Sequence, residues 1–158
     1  MTDSARITER KAQLEIDPNG MLIVLPWHDP VVDRIGFNIR GSYVETFWLG
    51  ILGPTSTWLL RRIDAGFDVY PDGYELNLGE TAAALGLTFQ AGKVSPFVRS
   101  LQRCVMFGAA RASTYGVEVR RFMPPLNARN LSRLPEHLRR VHNDWLPART
   151  NESDLLAG

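Results

Sequence analysis

At 158 residues, with 44% hydrophobic and 22% charged residues, the chain has the length and composition of one globular domain. No stretch approaches the roughly 18 consecutive apolar residues that a membrane span needs, and residues 1–20 are too polar for a secretory signal. We therefore expect a cytoplasmic protein. Its single cysteine, Cys104, cannot form an internal disulfide, and three scattered histidines provide no zinc-binding cluster, so we expect neither metal nor cofactor.

Charge is distributed unevenly along the chain. Residues 1–89 contain 7 Lys/Arg and 12 Asp/Glu, whereas residues 90–149 contain 11 and 3, although the net charge is only +1. A basic C-terminal half on an otherwise acidic molecule is typical of a polyanion-binding protein. The same pattern also suits an arginine-rich surface that is simply solvated.

The N-terminal part predicts a β-hairpin. Residues 14–16 alternate in polarity, residues 17–20 (DPNG) have turn chemistry, and residues 21–25 form a short apolar run. Residues 26–41 show little periodicity and read as a connector packed on the domain. We expect residues 1–12 to be frayed.

Two helices are predicted next. Ser42 and Glu45 fit a capping box, and apolar residues follow at helical spacing up to Gly53. Pro54 suits the first turn of a second helix, which we expect to end at about Gly66.

A strand and two further helices follow. Residues 74–78 alternate as a half-buried strand does, and Asn77 is a plausible cap for a short alanine-rich helix over Leu78–Leu85. After a linker, Ser95 as N-cap and Pro96 at the first helical position begin another helix that continues to about Phe107.

The helix that begins at Pro96 has two faces. Its apolar residues share an arc of about 120° at 100° per residue: Phe97, Val98, Leu101, Cys104 and Val105. The opposite face holds Arg99, Gln102, Arg103 and Met106. Arginine pairs with guanine and glutamine with adenine in the major groove, so the face suits a DNA-recognition helix packed on the alanine-rich helix. Any surface helix can show the same pattern.

A basic hairpin is predicted after this helix. Residues 109–114 and 117–122 flank a Tyr115-Gly116 turn, and the arginines of the hairpin are Arg111, Arg120 and Arg121. The resulting order is helix, strand, alanine-rich helix, arginine-bearing helix and hairpin.

Four segments carry a resemblance to a known superfamily: LGETAAALGL (78–87), SPFVRSLQR (95–103), FGAA (107–110) and YGV (115–117). Together they resemble the winged helix-turn-helix superfamily of bacterial DNA-binding proteins, over about residues 54–123. The resemblance implies a fold and, less specifically, a function, because winged helices also serve as protein-interaction modules. The linker at residues 87–94 departs from the pattern, being longer than the usual three- to four-residue turn.

The resemblance implies a set of DNA contacts. The third helix would lie in the major groove and the hairpin would act as the wing, contacting phosphate or the minor groove. Candidate contacts of the helix are Ser95, Arg99, Gln102 and Arg103, with Lys93 before it on phosphate. Candidate contacts of the wing are Arg111, Tyr115, Arg120 and Arg121.

The C-terminal part predicts a helical extension over residues 124–149, divided by Pro135 into two short helices. Its apolar residues recur at intervals of three and four: Leu131, Leu134, Leu138, Val141 and Trp145. This stripe either closes over the core or forms a homodimer interface, which would suit a two-fold DNA site. Residues 150–158 read as a flexible tail.

The sequence thus predicts a mainly α, α+β chain. Its parts are an N-terminal hairpin and connector (1–41), a winged helix-turn-helix core (42–123), the helical extension and the tail. The favoured function is binding of double-stranded DNA as a transcriptional regulator. The alternative is a winged-helix protein–protein interaction module that docks through Met106, Phe107 and the C-terminal stripe. We expect no enzyme, since no nucleophile motif, phosphate-binding glycine loop or recognisable acid pair is present.

Overall fold

A computed structural model describes Leu14 and residues 16–145 of the chain. Four strands form one mixed sheet: Met21–Trp27 (β1), Tyr74–Asn77 (β3), Ala110–Ser113 (β4) and Gly116–Arg120 (β5). Two short strands, Phe37–Asn38 (β2) and Phe122–Met123 (β6), form a separate antiparallel pair. The predicted tail at 150–158 and the predicted fraying of residues 1–12 fall outside the described residues.

Helices make up most of the remaining regular structure, so the chain is α+β and mainly α. They are Pro30–Ile35 (α1), Leu49–Leu52 (α2), Pro54–Val69 (α3), Leu78–Ala84 (α4), Pro96–Met106 (α5), Ala128–Leu131 (α6) and residues 136–145 (α7). A π-helical turn, Val44–Trp48, leads directly into α2, so residues 42–52 are continuously helical. Within the described ranges, no helix is long and apolar enough to cross a membrane.

The prediction of an N-terminal hairpin is wrong. The strand β1 is an inner strand of the sheet order β3-β1-β5-β4, antiparallel to β3 and parallel to β5. Leu14 and Ile16 lie outside the strands and pack against the core instead. The turn at 17–20 does form, with Gly20 N donating to Asp17 O at 2.8 Å. It is not a hairpin turn, because the backbone groups of β1 pair with strands distant in sequence.

The segment treated as a connector contributes three elements to the same core. Residues 26–41 contain the end of β1, all of α1 and β2, and the fully buried Ile39. Asp29 caps α1 by accepting hydrogen bonds from Val31 N and Val32 N, both at 3.2 Å, and Pro30 occupies the first turn. Residues 16–41 are therefore part of the same fold as the residues that follow them.

The predicted helices from Ser42 to the end of α5 are confirmed, with small shifts of their ends. The second helix runs to Val69, one turn beyond Gly66. Asn77 Oδ1 accepts from Glu80 N at 3.0 Å, and Ser95 Oγ accepts from Val98 N at 3.2 Å, so these two predicted caps form. The predicted capping box of Ser42 and Glu45 does not form, because Glu45 N donates to Gly41 O instead. The hairpin β4–β5 is also confirmed.

The main helical neighbour of α5 is α3, not the alanine-rich α4 as expected. Ser56 Oγ of α3 donates to Ser100 O of α5 at 2.9 Å, and both serines are buried. The residues of α5 that face the core are Phe97, Ser100, Leu101 and Cys104. Small side chains at the crossing let the two helices approach closely, and the long linker after α4 separates α5 from it.

A buried carboxylate joins α3 to two segments that are far apart in the sequence. Asp64 is 1% exposed, and its two oxygens lie 2.7 Å from Arg40 Nε and from Arg121 Nε. The same two arginines reach the half-exposed Asp68, at 2.6 and 2.7 Å. Hydrogen bonds from Arg40 and then Arg121 lower the pKa of Asp68. The four side chains thus fasten residues 40 and 121 to one face of α3.

The C-terminal stripe packs on the chain's own core. Leu134 is buried, and Leu131, Leu138 and Trp145 pack against the core cluster, whereas Val141 is 44% exposed. Helix α7 docks on the helical segment 42–52, where Phe47 makes edge contacts with His142 and Trp145. Pro135 lies between α6 and α7, as predicted. Of the two predicted roles for the stripe, the structure shows the first, in which the stripe closes over the core.

His142 is a titratable group at this junction. It is 3% exposed, and its Nε2 shares a hydrogen bond of 2.7 Å with Tyr43 Oη, which also accepts from Leu126 N at 2.9 Å. Burial lowers the pKa of His142, because the charged imidazolium is poorly solvated there.

We expect stability to fall on acidification. Below the unfolded-state pKa of about 6.5 the unfolded chain binds the proton more readily than the folded one, so the free energy of unfolding decreases until the lower folded pKa is reached. Urea unfolding at about pH 7.5 and about pH 5.5 measures this loss. His142→Gln should reduce it, and His137→Gln, at an exposed position of α7, should leave it intact. An unchanged pH dependence in His142→Gln would show that this histidine is not responsible.

Candidate nucleic-acid interface

The helix α5 presents one polar face to solvent. Its N-terminus is fixed by Ser95 and Pro96, and burial of Phe97, Leu101 and Cys104 sets its rotation. Arg99 and Gln102 consequently point outward. Neither side chain forms a hydrogen bond or ion pair with any residue that the structure describes. Two apolar side chains accompany them, Val94 at 72% and Met106 at 76% exposure.

Lys93 lies just before α5 and is exposed. Ser95, by contrast, is engaged as the N-cap and is only partly exposed. Of the predicted helix-side contacts, Lys93, Arg99 and Gln102 therefore have free polar ends.

Arg103 is directed back onto the protein. Its Nε and Nη2 lie 3.2 and 2.8 Å from Ile51 O and donate to it, near the end of α2. Its guanidinium also lies 5.4 Å from the centroid of the Phe107 ring. Donation to a carbonyl at a helix C-terminus stabilises both the helix end and the cation. Arg103 therefore has a structural contact that sequence reasoning missed.

The hairpin β4–β5 projects its tip into solvent. Tyr115 is 78% exposed and precedes Gly116, which begins β5. At Gly116 a Cβ would come within 2.3 Å of the Ile23 carbonyl of β1, so only glycine allows this close approach of the strands. Tyr115 is the predicted wing residue that the structure leaves most accessible.

Two of the wing arginines share one tryptophan. Trp27 pairs with Arg120 in the β1–β5 register, so their side chains share a face of the sheet. The Arg120 and Arg111 guanidiniums lie 3.6 and 4.2 Å from the Trp27 ring. Arg111 also forms an ion pair with Glu118 on the adjacent strand. Both cations are thus partly used within the sheet.

Arg120 is the more tightly held of the two. Its side chain is 12% exposed; Nη1 lies 3.0 Å from Asp29 Oδ2 and Nε donates to Gly108 O at 2.7 Å. The hydrogen bond from Arg120, followed by that from Val32 N, lowers the pKa of Asp29. The cluster connects β5, the cap of α1 and the end of α5, and so fixes the base of the hairpin.

Arg121 belongs to the Asp64 cluster and not to the hairpin surface. Arg121 follows the last residue of β5, and its side chain contacts α3 instead of the Trp27 face of the sheet. It donates to both Asp64 and Asp68, so its charge is balanced within the fold. The predicted site residues therefore do not form one set: α5 and the hairpin tip carry the free groups, and Arg120 and Arg121 serve the fold.

Sequence reasoning missed Trp27, Asp29 and Phe107 as partners of these arginines. An Asp-Pro pair at 29–30 is an N-cap signal that would have found α1 and the position of Asp29. No local signal identifies a ring 84 residues before Arg111 as its partner.

Cys104, the single cysteine of the sequence, is buried. Burial raises the pKa of the Cys104 thiol to about 12, so it stays protonated near neutral pH. Over Leu14 and residues 16–145, no three His, Cys, Asp or Glu side chains come together as a metal site would require.

The comparisons with known proteins give no family to set beside this geometry: no protein-family model, curated protein or solved structure matches the chain.

We expect Arg120 and Arg111 to contribute unequally to the free energy of unfolding. Arg120→Ala should lower the free energy of unfolding by about 2 kcal/mol, because a carboxylate and a carbonyl lose a charged donor. Arg111→Ala, at a position where the side chain is 53% exposed, should cost less than about 1 kcal/mol. Urea unfolding of the two variants makes the comparison. Equal stabilities would mean that Arg120 does not support the hairpin.

Proposed function

We propose that this chain binds double-stranded DNA, with the exposed face of α5 as the recognition surface and the tip of the β4–β5 hairpin as a second contact. The observation that carries the proposal is the outward pair Arg99 and Gln102 on a helix whose other face is locked into the core. Both side chains have the donor and acceptor groups that read base edges in the major groove. Because the helix is fixed against the core, it holds the Arg99 and Gln102 side chains in a constant position relative to each other.

Charge supports the same partner. The exposed cations on and before α5, Arg99 and Lys93, have no ion-pair partner among the described residues. Tyr115 at the hairpin tip could reach sugar or phosphate beside the groove. The order α3, β3, α4, α5, β4–β5 agrees with the winged helix-turn-helix interpretation. Three features depart from a winged helix: the inner strand β1, the long segment between α4 and α5, and the packing of α5 on α3 instead of α4. The role that fits is a transcriptional regulator.

A protein–protein interaction module is the second candidate. The observation that favours it is the exposure of two large apolar side chains at the two ends of α5, Val94 before its first residue and Met106 at its last. Large exposed apolar side chains can contribute to protein-binding surfaces, and methionine adapts readily to varied partners. A purely protein-binding role predicts no affinity for duplex DNA.

The test is Arg99→Ala. We expect about a tenfold loss of affinity for duplex DNA, since one base-edge or phosphate contact is removed, with an unchanged thermal unfolding midpoint. Fluorescence anisotropy with a labelled random-sequence duplex measures the affinity. Arg34→Ala is the control, because it removes the same charge from an exposed position of α1. Equal affinities of the two variants would show that α5 is not part of the DNA-binding surface.

A further inference from the structure

Two arginines from distant parts of the chain meet at one aromatic ring. The guanidinium of Arg103, in α5, lies 5.4 Å from the Phe107 ring centroid, and that of Arg133, between α6 and α7, lies 5.7 Å from it. The ring is partly buried and packed against the core, and both arginines are exposed. We call these three residues the Phe107 cluster.

The Phe107 cluster carries two positive charges that no carboxylate of the described residues neutralises. Arg103 donates from Nε and Nη2 to Ile51 O, which leaves Nη1 free. Arg133 forms no ion pair with any described residue, Glu136 three positions later included. Arg40, Arg61, Arg111, Arg120 and Arg121 each have a carboxylate within 4.0 Å.

The arrangement is held in place by the fold. The carbonyl of Ile51 fixes Arg103, and the ring of Phe107 attracts both cations through its π face. The backbone near Arg133 is fixed because Leu134 is buried beside α2, where a Cβ on Gly50 would lie 3.7 Å from Leu134 Cδ2. Both guanidiniums lie beside the ring with no carboxylate partner among the described residues, so an anion that binds their free donors does not compete with an internal ion pair.

We propose that the Phe107 cluster binds a phosphate group. Guanidinium groups match phosphate oxygens with paired, charge-assisted hydrogen bonds, and Arg103 and Arg133 retain free donors for them. Building on the proposed function, the phosphate belongs to the DNA backbone. Arg103 follows Arg99 by one helical turn, so a backbone phosphate here lies at the C-terminal end of the recognition face. Phe107 is a positioning residue, since it orients the guanidiniums without touching the phosphate through a polar group.

Two measurements on the full chain test the proposal. In the first, the arginine side-chain Nε–H resonances are followed by NMR as inorganic pyrophosphate is added. We expect the Arg103 and Arg133 signals to shift together and the Arg34 signal to stay in place. Absence of a shift at both arginines overturns the phosphate site.

In the second, duplex affinity is measured across a salt series. Arg133→Ala should make the slope of log K against log salt shallower by about 0.9, the effect of one lost phosphate contact, whereas Arg34→Ala should not. Phe107→Leu keeps both charges but loses the ring that orients them, so its slope should lie between those of the wild type and Arg133→Ala. A wild-type slope in Arg133→Ala overturns the site.

The two measurements separate the two proposals. If the wild-type chain fails to bind the duplex, the DNA proposal fails, and the pyrophosphate titration alone decides the site: joint shifts support a phosphate site, and their absence rejects it.

Discussion

The carboxylate of Asp64 is the constraint on which much of the structure depends. A charge that is 1% exposed is costly unless it is paired on all sides. Here Arg40 and Arg121 each place Nε at 2.7 Å from one of its oxygens. Because Arg40 follows β2 and Arg121 follows β5, this one carboxylate holds the end of the main sheet and the β2–β6 pair against α3. Phe67, 5.8 Å from the Arg121 guanidinium, completes the enclosure.

The presence or absence of a nearby carboxylate also divides the arginines of the basic half into two groups. Where a carboxylate is within reach, the arginine is used by the fold: Arg111 with Glu118, Arg120 with Asp29, and Arg121 with Asp64 and Asp68. Other arginines of residues 90–145 have no ion-pair partner in the described part of the chain: Arg99, Arg103, Arg129, Arg133, Arg139 and Arg140. The free charge therefore belongs to α5 and to the C-terminal helices, and the proposed contact of the hairpin with DNA rests on the exposed Tyr115 at its tip.

Features that depend on neighbouring residues could be predicted from the sequence. Asn77, Ser95 with Pro96, and Pro135 each set a helix end through contacts within four residues, and all three appear as expected. The pairing of β1 with β5 could not be predicted, because it joins residues more than 90 positions apart and leaves no local pattern. The hairpin signal at 17–20 was misleading for that reason.

The candidate site residues divide in the same way: their exposure could be predicted from local periodicity, whereas their bonding partners could not. The exposed positions Arg99 and Gln102 follow from helical periodicity, which the buried stripe of α5 confirms in Phe97, Leu101 and Cys104. Whether an arginine is free depends on its partner, and the partners of Arg103 and Arg120 are a carbonyl 52 residues away and a carboxylate 91 residues away. A charge count along the chain cannot distinguish such arginines from those available to a ligand.

The central claim is that the unpaired cations of α5 and the C-terminal helices meet DNA phosphates. Its most direct test is fluorescence anisotropy of the wild-type chain with a random-sequence duplex across a salt series. Each phosphate neutralised contributes about −0.9 to the slope of log K against log salt, so engagement of several free cations predicts a slope of about −3 or steeper. Absence of binding even at low salt would contradict the claim and favour a protein partner.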